Sequence, residues 1–218
     1  MKISLEQVKK DAAVRSYIQK ADESLIALGY TEHSFAHVGK VADTASYILK
    51  TLGYSDREAE LAAIAGYLHD IGNVINRIDH AQSGAVMAFR ILDRMEADPE
   101  DVATVITAIG NHDESTAFPV NAVAAALILA DKTDVRRSRV RNQELSNFDI
   151  HDRVNYSVTE AQIQVTKEEI CLDLQIETKL CTVMDYFEIF LNRMLLCKKS
   201  AEKLGTRFAL MINGQKMI

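Results

Sequence analysis

Apolar residues recur at helical spacing through most of the first 134 residues, and short turn-forming segments separate the periodic stretches. This pattern predicts a bundle of helices. Ser55 before "DREAE" and Asp98 before "PED" are expected to cap two of these helices at their N-termini. The predicted helices are Leu5–Ala27, Ser34–Leu52, Asp56–Asp70, Ala81–Glu96, Pro99–His112 and Ala122–Asp134.

The pattern changes after Phe148. The segment "AQIQVTKEEICLDLQIET" alternates polar and apolar residues on either side of a Lys-Glu-Glu turn, which predicts a β-hairpin. The segment "TVMDYFEIFLNRMLLCKKSAEKLG" predicts a long amphipathic helix that Gly205 ends, and "RFALMING" predicts a last short strand. We therefore expect a mainly α protein, α+β overall, with a helical domain over residues 1–150 and a small ββαβ appendage over residues 151–218 that packs on the bundle.

Composition narrows the class of protein. The chain has 218 residues, of which 48% are apolar, and its net charge of −6 argues against a nucleic-acid-binding scaffold. The N-terminal segment is charged throughout and no later run is long and apolar enough for a membrane span, so we expect a cytoplasmic protein. The three cysteines lack CxxC spacing, which favours reduced thiols over disulfides or a zinc site.

The candidate chemistry lies in the histidines and two aspartates. Asp70 and Asp131 follow the apolar segments "AELAAIAGYLH" and "AVAAALILA", where an unpaired carboxylate needs a cation. His151 lies outside this pattern and is interpreted as structural. The other five histidines fall in the helical region: His33, His37, His69, His80 and His112.

A single histidine on an apolar face is more often a hydrogen-bonded core residue than a ligand. Five histidines and two carboxylates at helix ends of one bundle favour metal binding instead, because neutral imidazole and carboxylate are ligands of divalent first-row metals. Four ligands satisfy one ion, whereas six candidates indicate two ions. Asp70 is the expected bridge, since a carboxylate has two oxygens to share.

Three segments resemble the HD-domain metal-dependent phosphohydrolases, whose signature is an early His, a His-Asp doublet and a later Asp. They are "HVGKVADTA", "YLHDIGN" and "ILADKTD". The segments "DHAQSGAVMAFRIL" and "IGNHDE" resemble the additional histidine motifs of dinuclear members. The resemblance implies an HD-type helical bundle with two metal ions. The implied ligands are His37, His69, Asp70 and Asp131 for the common site, and His80 and His112 for the second ion.

The resemblance also implies an enzyme that hydrolyses a phosphate ester or phosphoanhydride of a nucleotide or another small phosphorylated molecule. Two divalent ions would lower the pKa of a shared water and neutralise charge on the phosphoryl oxygens. Iron or manganese is favoured, while nickel, cobalt, zinc or magnesium is compatible with the ligands. His69, Asp70 and His33 are the expected catalytic residues. His33 is either an additional ligand or a group that orients His37 or the phosphate, and we favour the second.

The segment "DKTDVRRSRVRN" places five cations after Asp131, namely Lys132, Arg136, Arg137, Arg139 and Arg141. If the helix continues, Lys132, Arg136 and Arg139 share one face and could bind a substrate phosphate. The alternative is a solvated face or salt bridges within this acidic chain. The expected substrate-binding residues are Lys132, Arg136, Arg137 and Arg139.

Two other functions stay open from the sequence. In one, the chain is a non-catalytic binding or regulatory module in which the metal only holds the bundle together. In the other, the arginines bind nucleic acid, but no aromatic stacking platform accompanies them. The N-terminal and C-terminal amphipathic helices could each supply a dimer face or could be internal, so a homo-oligomer is compatible with the sequence.

Overall fold

The computed structural model describes residues 1–141, Phe148 and residues 150–218. The described part of the chain is mainly helical, as the apolar periodicity predicts. Its α-helices are, in chain order, α1 (Leu5–Lys10), α2 (Ala12–Ala27), α3 (Phe35–Leu52), α4 (Asp56–Leu68), α5 (His80–Arg94), α6 (Pro99–Gly110), α7 (Ala122–Lys132), α8 (Ile150–Ser157) and α9 (Val183–Lys203). Among these residues no helix is both long and apolar enough to cross a membrane.

The C-terminal part carries a small sheet. Strands β1 (Val158–Val165) and β2 (Glu169–Ile176) form the predicted antiparallel hairpin. Strand β3 (Arg207–Ile212) lies parallel to β2, because α9 crosses over between them, and β4 (Gln215–Lys216) pairs antiparallel with β3. The predicted ββαβ order is therefore confirmed, with a two-residue strand added that the sequence pattern did not indicate.

Local sequence signals set several helix ends as predicted. The Ser55 hydroxyl accepts a hydrogen bond from the Glu58 amide at 3.2 Å, and the Glu58 carboxylate accepts one from the Ser55 amide, so the pair forms a capping box. Asp98 caps α6 by accepting from the Glu100 amide at 3.0 Å. Gly205 has φ +76, the left-handed conformation that a helix end favours in glycine. These three predictions are confirmed.

The prediction of one helix over Leu5–Ala27 is wrong. Asp11 adopts an extended conformation, ends α1, and caps α2 by accepting hydrogen bonds from the amides of Ala13 and Val14 at 2.9 and 3.0 Å. A short polar side chain at this position satisfies the free amides of a new helix, so the chain turns there instead of continuing.

One apolar cluster runs through both the bundle and the C-terminal part. It includes Ile64 and Leu127 of the bundle together with Leu172 and Phe190 of the tail. Helix α9 packs on α7, which brings the tail next to the last turn of α7. The division of the chain at residue 150 stays a prediction, and residues 142–147 and 149 beside it lie outside the described part.

The turn after α4 packs tightly on the start of α5. A Cβ atom at Gly72 would lie 2.0 Å from the carbonyl oxygen of His80 and 2.5 Å from the amide nitrogen of Gly84. No side chain fits at such distances, so a glycine here lets the 3-10 turn Ile71–Val74 approach α5. This approach fixes Asp70 relative to His80.

We expect Gly72→Ala to destabilise the protein by about 1–3 kcal/mol, because its methyl group must displace backbone atoms. Urea unfolding at a fixed metal concentration measures the effect. The matched control is Gly39→Ala in α3, where a Cβ meets no atom within 4 Å. That control should raise stability by about 0.5–1 kcal/mol. A Gly72→Ala protein as stable as the wild type would contradict the tight packing.

Candidate metal centre

The six predicted metal ligands come from helix ends that meet in the bundle. Five of these side chains are almost completely buried, and the side chain of Asp131 is 12% exposed. They are His37 in the first turn of α3, His69 and Asp70 after α4, His80 at the start of α5, His112 after α6, and Asp131 in the last turn of α7.

Their ligand atoms converge. In three overlapping groups of residues, one nitrogen or oxygen from each member lies within 4.8 Å of those from the other two. The structure therefore brings together all six residues that the sequence singled out. The groups are His37, His69 and Asp70; His69, His112 and Asp131; and Asp70, His80 and His112.

Asp70 lies between two sets of imidazoles. Its Oδ2 is 3.2 Å from Nε2 of His69 and 3.6 Å from Nε2 of His37. Its Oδ1 is 3.5 Å from Nε2 of His80 and 4.0 Å from Nε2 of His112. Each carboxylate oxygen thus faces a different pair of histidines, which is the arrangement that a bridge between two cations needs.

The scaffold occupies the other ring nitrogen of every one of these histidines. In a neutral imidazole one nitrogen carries a hydrogen and the other a lone pair, so a hydrogen bond from Nδ1 to an oxygen leaves the lone pair on Nε2. The Nδ1 contacts are His33 with Thr31 O (2.6 Å), His37 with Asp134 Oδ2 (2.8 Å), His69 with Gly66 O (2.8 Å), His80 with Arg77 O (3.0 Å) and His112 with Ile109 O (2.6 Å).

Several of the inward-facing acceptor atoms lack a hydrogen-bond donor, although Nη1 of Arg77 lies 3.4 Å from Nε2 of His80. Nε2 of His37, Nε2 of His69 and Oδ2 of Asp70 are buried without a hydrogen-bond partner among the described residues. Nε2 of His80 and Nε2 of His112 lie 3.2 Å apart, and neither carries a hydrogen for the other. Buried acceptors without partners are costly, and cations between them would satisfy all of these atoms together. The residues therefore fit a centre that binds divalent metal.

The charges within the cluster also favour a bound cation. Burial lowers the pKa of His112 to about 3, so this imidazole stays neutral. Burial is the largest single influence and raises the pKa of both carboxyl groups, but the neighbouring groups together, led by His69 for Asp70 and by Lys132 for Asp131, lower both pKa values well below the usual range. Burial opposes a proton on His69, yet the Asp70 carboxylate raises the pKa of His69. Two ionised carboxylates thus share a buried volume.

Asp134 is a functional candidate that the sequence analysis missed. Its Oδ2 accepts the Nδ1 hydrogen of His37 at 2.8 Å, and its Oδ1 lies 2.9 Å from both Nζ of Lys40 and Nε of Arg136. Burial raises the pKa of Asp134, but the hydrogen bond from His37 and the nearby Arg139 lower it far below the usual range. A permanently ionised acceptor fixes the tautomer and orientation of His37. The position of Asp134, three residues after Asp131 in the sequence, is the signal from which it could have been identified.

His33 approaches the cluster from outside the helix. Because α3 begins at Phe35 after the cap Ser34, His33 and His37 do not share a face of one helix. The two rings still lie 5.4 Å apart, and Nε2 of His33 is 4.0 Å from Oδ2 of Asp70. Burial lowers the pKa of His33 well below its usual value, so its Nε2 lone pair is available in the pocket.

A pocket of about 200 Å³ opens over the cluster. His33, Asp70, His80, His112 and Asp131 contribute to its lining. Its cationic lining residues are Lys132 and Arg139, which the sequence predicted, and Arg77 and Arg193, which it did not.

Arg136 and Arg137 do not line this pocket, and the helix does not continue, so the condition for one shared face of Lys132, Arg136 and Arg139 is not met. Helix α7 ends at Lys132, where the Thr133 hydroxyl donates to the Leu129 carbonyl at 2.6 Å, and Arg137–Arg139 forms only a 3-10 turn. Arg136 pairs with Glu32 at 3.1 Å, and Arg137 pairs with Glu177 at 2.8 Å. Arg136 and Arg137 thus form salt bridges within the chain, which was the alternative to phosphate binding.

Comparison with known proteins places this cluster in a family. The model of the HD domain family matches residues 34–188, which is well over half of the chain. The chain belongs to the HD domain family. It is also 25% identical over 211 residues to the uncharacterized protein MJ1020 of Methanocaldococcus jannaschii, covering 86% of this chain and 80% of that protein. A crystal structure described as a predicted HD superfamily hydrolase from an uncultured Thermotogales bacterium matches with a TM-score of 0.46 and 25% identity, over 60% of this chain and 73% of that one.

In this HD domain we expect Asp134→Asn to weaken metal binding about 10- to 100-fold, because an amide cannot stabilise the His37 N–H with a negative charge. Competition with a chromophoric chelator measures the affinity. The control is Asp43→Asn, which changes an exposed carboxylate on the helix that carries His37 and should leave the affinity unchanged. Equal affinities of the two variants would contradict the role of Asp134.

Proposed function

We propose that this HD domain is a metal-dependent phosphohydrolase that cleaves a phosphate ester or phosphoanhydride of a nucleotide or another small phosphorylated molecule. The observation that carries the proposal is the cluster of inward-facing Nε2 lone pairs and two carboxylates at a pocket lined by cations. A site that holds cations and also exposes fixed positive side chains is suited to a phosphate group, which needs charge neutralisation from several directions.

The residues divide into two ligand sets that share Asp70. Imidazole nitrogen with carboxylate oxygen suits iron or manganese, which we propose as the metals. When bound, two divalent ions supply an activated water molecule and neutralise charge on the phosphoryl oxygens. As the resemblance implies, we assign His37, His69, Asp70 and Asp131 to one set and Asp70, His80 and His112 to the other, although a ligand atom of His112 also lies within 4.8 Å of those of His69 and Asp131.

Lys132 and Arg139 are proposed to bind the phosphate. Nζ of Lys132 lies 2.7 Å from Oδ2 of Asp131, so its charge is held beside the metal ligands. Nε and Nη1 of Arg139 donate to the carbonyl oxygens of Glu32 and Asp134 at 3.0 and 2.9 Å, which fixes the buried guanidinium. A guanidinium anchored in this way is pre-organised for phosphate oxygens and loses little side-chain entropy on binding.

His33 is proposed to act as a positioning residue. Its Nδ1 hydrogen is donated to the Thr31 carbonyl, and its neutral Nε2 faces the pocket near Asp70. It can therefore accept a hydrogen bond from a water molecule or from a protonated phosphate oxygen. This keeps the reacting groups in a defined orientation.

Elemental analysis of the purified protein should give a metal content near two per chain, and metal-loaded protein should release phosphate in a screen of phosphorylated small molecules. His69→Ala and Asp70→Ala remove ligands and should abolish this release, because the ions and their orientation are lost. Asp93→Ala is the matched control, since Asp93 is exposed on α5 away from the cluster.

The results of these measurements distinguish a phosphohydrolase from a non-catalytic metal-binding module. Bound metal without phosphate release from any compound would favour the non-catalytic module, in which the metal only stabilises the bundle. A metal content near one would remove His80 and His112 from the ligand set. Protein that binds no metal under any condition would contradict the proposal.

The two arginines of the 3-10 turn should behave differently. Arg139→Gln should raise KM at least about tenfold, because a charged hydrogen bond to phosphate is worth roughly 1.5–3 kcal/mol. Arg137→Gln removes the ion pair with Glu177 and the contacts with Tyr156, neither of which lines the pocket, and should leave KM within about twofold of the wild type. Steady-state kinetics with the best substrate of the screen measures both values. Equal effects on KM would contradict the assignment of Arg139.

A further inference from the structure

The C-terminal part of the chain supplies a second group of side chains to the pocket over the metal centre. His151, Asp152 and Asn155 come from α8, and Arg193 comes from α9. We call these four residues the tail wall. They line the same pocket as the proposed metal ligands, although they come from helices later in the chain than those that carry the ligands.

Two members of the tail wall are held in place by their neighbours. Nε of Arg193 donates to Oε2 of Glu114 at 2.8 Å, and its guanidinium carbon lies 4.3 Å from the centre of the Phe190 ring. Asn155 is only 6% exposed, and its amide donates to the His151 carbonyl at 2.9 Å. Because Glu114 follows His112 by two residues, the tail wall is connected to the loop of a metal ligand.

The charges of the tail wall differ from those of the phosphate-binding side. Glu114 offsets the charge of Arg193, and Asp152 adds a carboxylate, so there is no excess of positive charge for a second phosphate. The wall instead combines a carboxylate, an amide, an imidazole and a guanidinium. This mixture offers acceptors for hydroxyl hydrogens and donors for hydroxyl oxygens.

The shape of the pocket limits the size and polarity of the group that the wall can take. Its volume of about 200 Å³ is below the roughly 300–1,000 Å³ of pockets for drug-sized ligands. Tyr30 is the only tyrosine, phenylalanine or tryptophan among the described lining residues, so a large aromatic group would find little apolar surface. A compact group with several hydroxyls fits both restrictions.

We propose that the substrate is the phosphate monoester of a compact polyhydroxylated alcohol, with its phosphate at the metal centre and its hydroxyl groups on the tail wall. The inference rests on the proposed phosphohydrolase function. In the reaction the oxygen of water forms a bond to phosphorus, the bond from phosphorus to the ester oxygen breaks, and the alcohol leaves with a proton. The products are inorganic phosphate and the free polyol. The tail is then the part of the chain that selects the leaving group.

The test compares two phosphonates in which a CH₂ group replaces the ester oxygen, so that no turnover occurs. One is the analogue of ribose 5-phosphate and the other is benzylphosphonate, which lacks hydroxyls. Calorimetry with Mn²⁺-loaded wild-type protein should show at least about tenfold tighter binding of the ribose analogue, as expected for one or two additional hydrogen bonds.

Substitutions in the tail wall test whether its residues cause the preference for the ribose analogue. Asp152→Asn and Asn155→Ala should each weaken binding of the ribose analogue about fivefold, because the first replaces a charged acceptor with a weaker neutral one and the second removes an amide group. Both variants should bind benzylphosphonate with an affinity within about twofold of that of the wild type. Arg153→Ala is the matched control on the exposed side of α8 and should change neither affinity. Circular dichroism checks that each variant is folded, and Asp152→Asn is the conservative change should Asn155→Ala unfold.

Each outcome has a defined meaning. Equal binding of the two analogues by the wild type, or no binding of either, overturns the assignment of the tail wall. Variants that weaken both analogues equally also overturn it. Failure of the phosphohydrolase function is seen separately, as metal-loaded protein that releases no phosphate from ribose 5-phosphate or phenyl phosphate, because the binding measurement requires no turnover.

Discussion

The site depends on one constraint, which is the direction of the imidazole hydrogens. The histidines of the cluster donate from Nδ1 to oxygens of the scaffold, so every Nε2 lone pair is turned towards Asp70 and Asp131. Lys132 donates to Asp131 and Asn73 donates to Asp70, but Nε2 of His37, Nε2 of His69 and Oδ2 of Asp70 are buried without a hydrogen-bond partner among the described residues, which costs free energy. Cations bound among these atoms would satisfy them, and the helix ends and the charged lining of the pocket are arranged around the same atoms.

Helix ends meet this constraint more readily than helix interiors. The last carbonyls of an α-helix have no partner within the helix, and an imidazole that follows the end can donate to one of them. His69 does this with the carbonyl of Gly66, and His112 with that of Ile109, each three residues earlier in the chain. The same contact therefore satisfies a helix terminus and fixes a tautomer. His37 cannot use such a carbonyl at the start of α3, and the carboxylate of Asp134 takes this role.

The parts of the site that the sequence predicts are those with a local signal. A carboxylate after an apolar helix, as at Asp70 and Asp131, identifies a buried charge from spacing alone. Ser55, Asp98 and Gly205 likewise mark helix ends through their own backbone preferences. The resemblance to HD-domain proteins added the division of the histidines into two sets.

The parts that were missed depend on where distant segments meet. Arg77 and Arg193 reach the pocket from the turn before α5 and from α9, and no spacing along the chain relates them to Asp131. Arg136 and Arg137 carry the same charge as Arg139, but the turn after Lys132 directs them to Glu32 and Glu177. Which arginine faces the pocket is decided by the end of α7 and the packing of the tail, and residue type cannot indicate it.

Anomalous diffraction from crystals of the metal-loaded protein, recorded at the absorption edge of the bound metal, tests the central claim most directly. Two peaks should lie on either side of Asp70, one beside His37 and His69 and the other beside His80 and His112. Absence of both peaks, with imidazoles rotated so that a ring N–H points into the cluster, would contradict the claim that these lone pairs are held for cations.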